Sequence, residues 1–449
     1  MKRNTARHWM LLLFIGSMGF LKSSAQEQHV LTLQEAVDLS VKHSSQLKYS
    51  TAKIEEATAA LREAVERRLP DANASGAYLR VNNPHIDLRL KSENSNGGSD
   101  TARATPKASQ AAYGILNVTL PLYSGGRIKY GIESAKYLAE AAKLDADNDK
   151  EGIVLNTIDA FNNLYKSKAA VDLVQEALQT ARQRVKDFSS LEQNGLLARN
   201  DLLKAQLQQS NTELSLLDAQ NNWKLANISM DLLLGLSDST ELVPDTTNLQ
   251  AAPELKTIED YLQSGLQNRT DLSALQLRQK AAATGTKATL GEKYPSLALT
   301  GGYVALDVPK VLMVTNAINL GVGVQYSLSS LWKNASRVAQ SRAREQQLAA
   351  NQLQLSDAIR LEIAQAYQMF LSSRKKIEVY QTAVAQATEN YRILNNKYQN
   401  SLATATDVLD ADVAQLQARL NFAFAKSDAL VAYNKLLQVS GVLSETTIK

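Results

Sequence analysis

Residues 397–411 read Lys-Tyr-Gln-Asn-Ser-Leu-Ala-Thr-Ala-Thr-Asp-Val-Leu-Asp-Ala, and they join two long helical patterns head to tail. Upstream, from Ser330 to Asn400, there is no proline and no glycine, only Ala, Gln, Leu, Arg and Glu recurring at helical spacing. The pattern breaks at Asn400 and Ser401. Thr406 and Asp407 then offer side-chain oxygens of the kind that cap the exposed N–H groups at the start of a returning helix. Asp407 and Asp410 lie three apart, which puts both carboxylates on one face of that helix. The stretch predicts a helical hairpin tipped by paired acidic groups.

The same hairpin occurs earlier. Gly195-Leu196-Leu197-Ala198-Arg199-Asn200-Asp201-Leu202-Leu203 aligns with Ser401-Leu402-Ala403-Thr404-Ala405-Thr406-Asp407-Val408-Leu409 at a constant offset of 206 positions. Leu122 with Leu328 and Ser124 with Ser330 keep that offset. Nearer the start of each copy the offset becomes 225, pairing Thr32 with Thr257, Pro70 with Pro295 and Tyr78 with Tyr303. The first copy thus carries 19 extra residues between Tyr78 and Tyr113. An internal duplication of this length sets the domain plan. It predicts a leader at 1–25, a first copy at 26–236, a polar linker at 237–256 with Pro244 and Pro253, a second copy at 257–441 and a tail at 442–449.

Composition agrees with long helices. Ala, Leu and Gln dominate, aromatic residues make up 6%, and only 8 prolines interrupt 449 residues. Narrow apolar seams on extended helices suit this makeup better than compact layered domains. Cysteine is absent, which removes disulfides, zinc–thiolate sites and lipid attachment through a thiol. Met1 to Ala25 reads as a secretory signal, with Lys2, Arg3 and Arg7, the apolar run Met10–Leu21, and small residues at Ser23 and Ala25. A short membrane anchor is the other reading of that stretch, and the run is too short to span. No later segment reaches about 18 consecutive apolar residues, so no transmembrane helix is expected. The formal charge of +4 arises in the signal, where Lys2, Arg3, Arg7 and Lys22 meet no acidic residue before Glu27. The rest is near neutral, which removes the case for nucleic acid or another polyanion as partner. His8 falls in the signal, and His29, His43 and His85 share no ligand spacing, so neither a metal, a cofactor nor a catalytic triad is expected.

Between the helices the period changes. Thr32 caps an opening helix, with Glu35 placed for a capping box, and Pro70 closes the first helical stretch. Leu116, Val118, Leu120 and Leu122 then alternate with Asn117 and Thr119, the period-two pattern of a strand. In the second copy Ile318, Leu320, Val322, Val324, Tyr326 and Leu328 take one face, and Asn319, Gly321, Gly323, Gln325 and Ser327 the other. Four strands follow from this: 72–81, 113–122, 296–306 and 316–328. In a soluble sheet the apolar face would meet a core. Here no helix layer is left to cover it, and strands of about 9–11 residues with one aliphatic and one polar face suit a lipid-facing barrel with a wet lumen. Residues 82–110 read as a long surface loop. Trp332, Tyr123 and Tyr130 lie just past the strands, where either an interfacial aromatic girdle or helix packing would use them.

A signal, then twice over helix, strand, strand, long helix, tip and shorter helix, with Leu-Pro-Leu-Tyr-Ser-Gly-Gly-Arg at 120–127 after a strand, resembles the TolC family of outer-membrane efflux proteins. The most specific residues are Tyr398, Ser401, Asp407, Val408, Leu409, Asp410 and Ala411 at the second tip, mirrored by Gly195, Asn200 and Asp201 at the first. The resemblance implies a mainly α protein with transmembrane β-strands. Each protomer of a homotrimer would give four strands to a shared twelve-stranded barrel in outer-membrane lipid, and the coiled-coil hairpins would form a tunnel across the periplasm. It further implies that Tyr398 and Asp201, with Asn200 and Arg199 beside them, latch the tip coils, and that Asp407 and Asp410 ring the aperture. A periplasmic adaptor protein would dock on Gly195, Leu196, Leu197, Ala198, Ser401, Leu402, Ala403 and Thr404, and an inner-membrane transporter would supply the energy. Ala403 stands where many relatives carry a latching arginine, and Arg199 on the other tip is the candidate substitute. Carboxylates gathered at the aperture would favour cations and raise some of their own pKa values by repulsion.

Strand count independently demands company. Four strands cannot close a barrel, and open edges in lipid leave backbone groups unsatisfied at a cost on the order of several kcal/mol each. The expected function is a passive exit duct of a tripartite efflux or type I secretion system. A periplasmic coiled-coil scaffold or adaptor without a pore is the alternative, which explains the long helices but not the alternating strands. Taken without the duplication, Asp407 reads as a helix cap and Asp410 as a solvated residue. No motif points to an enzyme.

Overall fold

A computed structural model describes residues 28–80, 82, 109–238, 240–245, 255–309 and 311–443. The expected signal, nearly all of the 82–110 loop and most of the tail lie outside these residues. The elements in chain order are β1 (Gln28–Leu31), α1 (Leu33–His43), α2 (Ser45–Glu66), β2 (Asp71–Arg80), β3 (Gln110–Tyr123), α3 (Arg127–Gln193) and α4 (Arg199–Leu234). They continue with β4 (Glu241–Pro244), α5 (Ile258–Asn268), α6 (Thr270–Leu290), a 3-10 turn at Gly291–Lys293, β5 (Ser296–Val308), β6 (Leu312–Gln325), α7 (Ser330–Gln399) and α8 (Ala405–Val439). Two helices, two strands, a long helix and a shorter one are thus run twice. With 67 residues in α3 and 70 in α7, each long helix measures on the order of 100 Å at 1.5 Å per residue.

Capping chemistry sets several of these boundaries. Thr32 caps α1, its hydroxyl accepting from the Glu35 N–H at 3.2 Å. The Glu35 carboxylate does not return to the cap as expected, because His29 Nε2 lies 3.1 Å from it. In the second copy the box is complete: Thr257 accepts from the Asp260 N–H, and Asp260 accepts from the Thr257 N–H at 3.1 Å. Gly235, with φ 70°, ends α4 in the left-handed conformation that glycine enters most readily.

The chain divides into two compact units, with α3 and α7 contributing to both. One comprises Tyr49–Ala146 and Thr270–Ser356 and holds a four-stranded antiparallel sheet in the order β2-β3-β5-β6. Opposed residues share a face, so the register defines two surfaces. On one lie the rows Ala72–Val118–Gly301–Leu320 and Ala74–Leu116–Tyr303–Ile318. On the other lie Asp71–Thr119–Thr300–Gly321 and Asn73–Asn117–Gly302–Asn319. The first surface is apolar and open: Ile318 is 80% exposed, Leu320 79% and Val324 71%. The second is polar, and the Asn117 and Asn319 side chains close over Gly302, where an added Cβ would lie 3.2 and 3.0 Å from their Oδ1 atoms. Below the sheet Gly125 meets Gly291 so closely that a Cβ at Gly125 would lie 2.3 Å from the Gly291 carbonyl oxygen. Asn334, almost wholly buried, donates to the Thr289 carbonyl at 3.1 Å and fixes the start of α7 against α6.

The other unit comprises the residues up to Lys48, Asp147–Arg269 and those from Asp357. A parallel pair, β1 with β4, lies here, so the stretch read as a polar linker contains a strand. Four residues are too few to show a period, and Pro244 at the strand's end masks it further. Asn227 of α4 clamps the segment, accepting from the Leu242 N–H at 2.8 Å and donating to the Thr240 carbonyl at 2.5 Å. Leu31 and Leu242 enter one core with Phe161, Leu164, Met230 and Leu234, all fully buried. Gly265 of α5 sits against α7, where a Cβ would press within 2.5 Å of Ile363 Cδ1.

Candidate functional site: the hairpin tips

Both tips use one backbone scheme. At the end of α3 the Leu196 N–H donates to the Leu191 carbonyl at 2.8 Å and the Gly195 N–H to the Glu192 carbonyl at 2.9 Å. At the end of α7 Leu402 donates to Lys397 at 2.8 Å and Ser401 to Tyr398 at 2.9 Å. This is the paired bonding that stops a helix on a residue with positive φ, here Gly195 at 70° and Ser401 at 62°. The next residue in each tip stands in solvent, Leu196 75% and Leu402 76% exposed. Of the other residues expected to meet an adaptor, Leu197 turns inward against the tip cluster. Ala198 is exposed and Ala403 half-buried.

The second tip is capped by Thr404, not by Thr406 as the sequence reading expects. Helix α8 starts at Ala405, the Thr404 hydroxyl accepts from the Asp407 N–H at 3.2 Å, and Asp407 Oδ2 accepts from the Thr404 N–H and hydroxyl at 2.8 and 2.7 Å. The box requires a three-residue spacing, which Thr404 has and Thr406 lacks. These bonds to Thr404 hold the Asp407 carboxyl below its usual range. Asp410 is exposed one turn further on. Thr406 instead accepts from Lys204 Nζ of α4 at 2.9 Å, and that ammonium lies 3.6 Å from Asp201. The two hairpins are bridged there by Asp201, Lys204 and Thr406.

An apolar cluster lies behind the bridge. Phe188, Leu202, Ala205, Ala405 and Leu409 are buried, with Val185, Leu191, Leu197 and Tyr398 packed against them. The Tyr398 ring lies 5.5 Å from that of Phe188. Burial first, and then the Asp201 carboxylate, push the Tyr398 phenol above its ordinary pKa. Among the described residues no hydrogen bond joins Tyr398 to Asp201, and the contacts of the tyrosine at the tip are packing contacts. Arg199 lies 3.5 Å from Glu192 of its own hairpin. Asn200 is exposed in the first turn of α4.

A further tie escaped the sequence reading. Arg184 of α3, only 8% exposed, meets Asp412 Oδ2 at 2.5 Å and donates to the Tyr391 hydroxyl at 2.8 Å. Its guanidinium also lies 5.7 Å from the centre of the Tyr391 ring. The signal available was positional. Val171, Val174, Leu178, Ala181 and Phe188 are buried along α3 at steps of three and four, and Arg184 takes the place between the last two. A charge on such a seam needs a partner from the facing helix.

A two-faced strand group with open edges, joined in one chain to two tipped helical hairpins, defines an outer-membrane channel with helical extensions. The family described as outer membrane efflux protein matches residues 36–236 and 261–442, and the chain belongs to that family. Among solved structures the chain is similar to the outer membrane protein VceC from Vibrio cholerae, at 20% identity over 91% of this chain and 96% of that one, with a TM-score of 0.75. It is similar to CusC at 19% identity over 91% and 92%, with a TM-score of 0.77. The Campylobacter jejuni CmeC outer membrane channel matches at 17% identity over 93% and 87%, with a TM-score of 0.73. No curated protein sequence matches the chain. At these identities the likeness is one of fold. Nothing in the comparisons favours a scaffold without a pore.

Proposed function

We propose that three copies of this chain close their sheets into one barrel in the outer membrane and that the paired hairpins line a duct through the periplasm. The observation that carries this reading is the sheet. Its aliphatic face is open, its opposite face carries Asn73, Asn117, Asn319, Thr119 and Thr300, and among the described residues β2 and β6 each have a strand partner on one side only. Lipid would cover the first face and water the second, and neighbouring copies would pair the edges. At the other end Asp407 and Asp410 would border the aperture, and the exposed Leu196 and Leu402 would seat a periplasmic adaptor. An inner-membrane transporter would drive and select the cargo, and the chain itself would do no chemistry. Two measurements test this. Heat-modifiable trimers in the outer-membrane fraction and an ion conductance in planar bilayers are expected, and a soluble periplasmic monomer would overturn the reading.

A further inference from the structure

The polar surface of the sheet does not stay polar. Beyond the asparagine row, away from the helices, the next rows on that same face are Ser75–Ile115–Val304–Ala317 and Ala77–Tyr113–Leu306–Val314. The opposite face changes in the other sense, passing to Gly76–Gly114–Ala305 and then to Tyr78–Ala112–Asp307–Met313. The shift is set partly by an irregularity in β6, where Ala317 faces Val304 but Val314 faces Leu306, and where Asn316 takes φ 61°. Ile115, Val304, Leu306 and Val314 are half-buried against their neighbours, in contrast to the bare aliphatic residues on the opposite face.

Resting on the duct reading above, we propose that Tyr113, Ile115, Val304, Leu306 and Val314 form an apolar collar around the outer end of the lumen. Its ligand is the alkyl or aryl part of an amphipathic solute passing through. Every solute leaving the duct crosses these rows, and apart from the hydroxyls of Ser75 and Tyr113 their side chains offer no hydrogen-bonding partner. Hydrated ions find no replacement there for their water. An apolar group is drawn out of water by the same surface. Cargo with an aliphatic part is therefore retained on the last step, where purely polar cargo is not.

The test is current block in bilayers holding the reconstituted trimer. Tetrapentylammonium is compared with tetramethylammonium, which carries the same charge and less apolar surface. Wild type is expected to be blocked at least tenfold more strongly by the longer cation. Val304→Ser with Leu306→Ser should cut that preference about tenfold, which corresponds to ~1.4 kcal/mol, and Leu306→Ala should cut it in part. Thr300→Ser, lower on the same face, should leave it intact. An equal preference in wild type and the double variant would overturn the collar. The chain has no cysteine, so single cysteines report the face directly. Leu306→Cys should react with a membrane-impermeant thiol reagent while Val322→Cys is shielded by lipid. Labelling at Leu306→Cys with block unchanged in the serine variant sinks the collar alone. Labelling at Val322→Cys with Leu306→Cys protected sinks the barrel reading itself.

Discussion

At residues 195–201 and 401–407 the chain makes the same turn twice with different chemistry. The backbone bonds match, and an exposed leucine follows the turn in both. The first tip puts Gly195 at the positive-φ position and Ala198 at the N-cap, where it makes no side-chain bond. The second puts Ser401 and Thr404 at those places. One tip has a relaxed turn and an uncapped helix, the other a strained turn and a capped one. The consequence lies in the aspartates. Asp407 is drawn back onto Thr404, whereas Asp201, with no hydroxyl at Ala198 to bind, sits beside Lys204 and helps aim that lysine at Thr406 of the second tip. The duplication gives two equal turns, and the absence of a hydroxyl at Ala198 leaves Asp201 of the first free to bind Lys204, which reaches the second.

The largest effect is expected from breaking a buried ion pair that the duplication does not repeat. Arg184 would correspond to Asn390 in the second copy, and Asp412 to Gln206 in the first, so the ion pair exists once. Asp412→Ala leaves the Arg184 guanidinium buried without its carboxylate, a loss of about 3 kcal/mol. Amide exchange in residues 178–193 and 405–415 should quicken by roughly a hundredfold if opening is local. Arg184→Met with Asp412→Leu, which removes both charges, should recover most of it. Equal damage from the single and double variants would show that packing, not charge pairing, holds the hairpins together there.

Much of this was legible in the chain itself, and the exceptions have physical reasons. Absence of proline and glycine over 330–400 and the alternation at 316–328 are long signals; α7 follows the first closely, whereas β6 begins four residues earlier, at Leu312, and ends at Gln325, leaving Tyr326 and Leu328 beyond the strand. Short signals failed. β4 is four residues long, so no period could appear, and Thr404-Ala405-Thr406 offers two hydroxyls of which only spacing to Asp407 selects one. Arg184 was hidden because a seam is recognised by its apolar members. The inversion of the sheet's faces needs the register, which no single strand contains.

Next in size are exchanges of the cap. Thr404→Ala should cost about 1 kcal/mol, read as faster exchange of the amides that begin α8. Ala198→Thr should supply the missing box, because Asp201 stands three residues on, and should slow the first-turn amides of α4 by a similar factor. It should also loosen the bridge to Thr406 by turning Asp201 away from Lys204. If Ala198→Thr leaves both readouts unchanged, the freedom of Asp201 does not come from the missing hydroxyl. Exchanges at the turn follow, with Gly195→Ala costing roughly 1 kcal/mol and Ser401→Gly gaining less than that. Helix-end exchange at Leu196 and Leu402 is the measure for both.

The smallest effect distinguishes the tips by pH. Bonding to Thr404 lowers the folded-state pKa of Asp407 below its unfolded value. A lowered carboxylate pKa means that the contribution is complete above the unfolded value, near 3.9 for aspartate. It is lost as pH falls through the folded value, because the unfolded chain then binds the proton more readily. Asp407 is fully solvent-exposed, so screening keeps the effect local and the second tip should fray without unfolding of the protein. Exchange at the start of α8, corrected for its intrinsic acid dependence, should therefore rise on acidification below the usual aspartate range. Thr404→Ala should abolish that rise, since its cap is already gone at neutral pH. A rise of equal size in Thr404→Ala would assign it to another carboxylate and leave the two tips alike in acid.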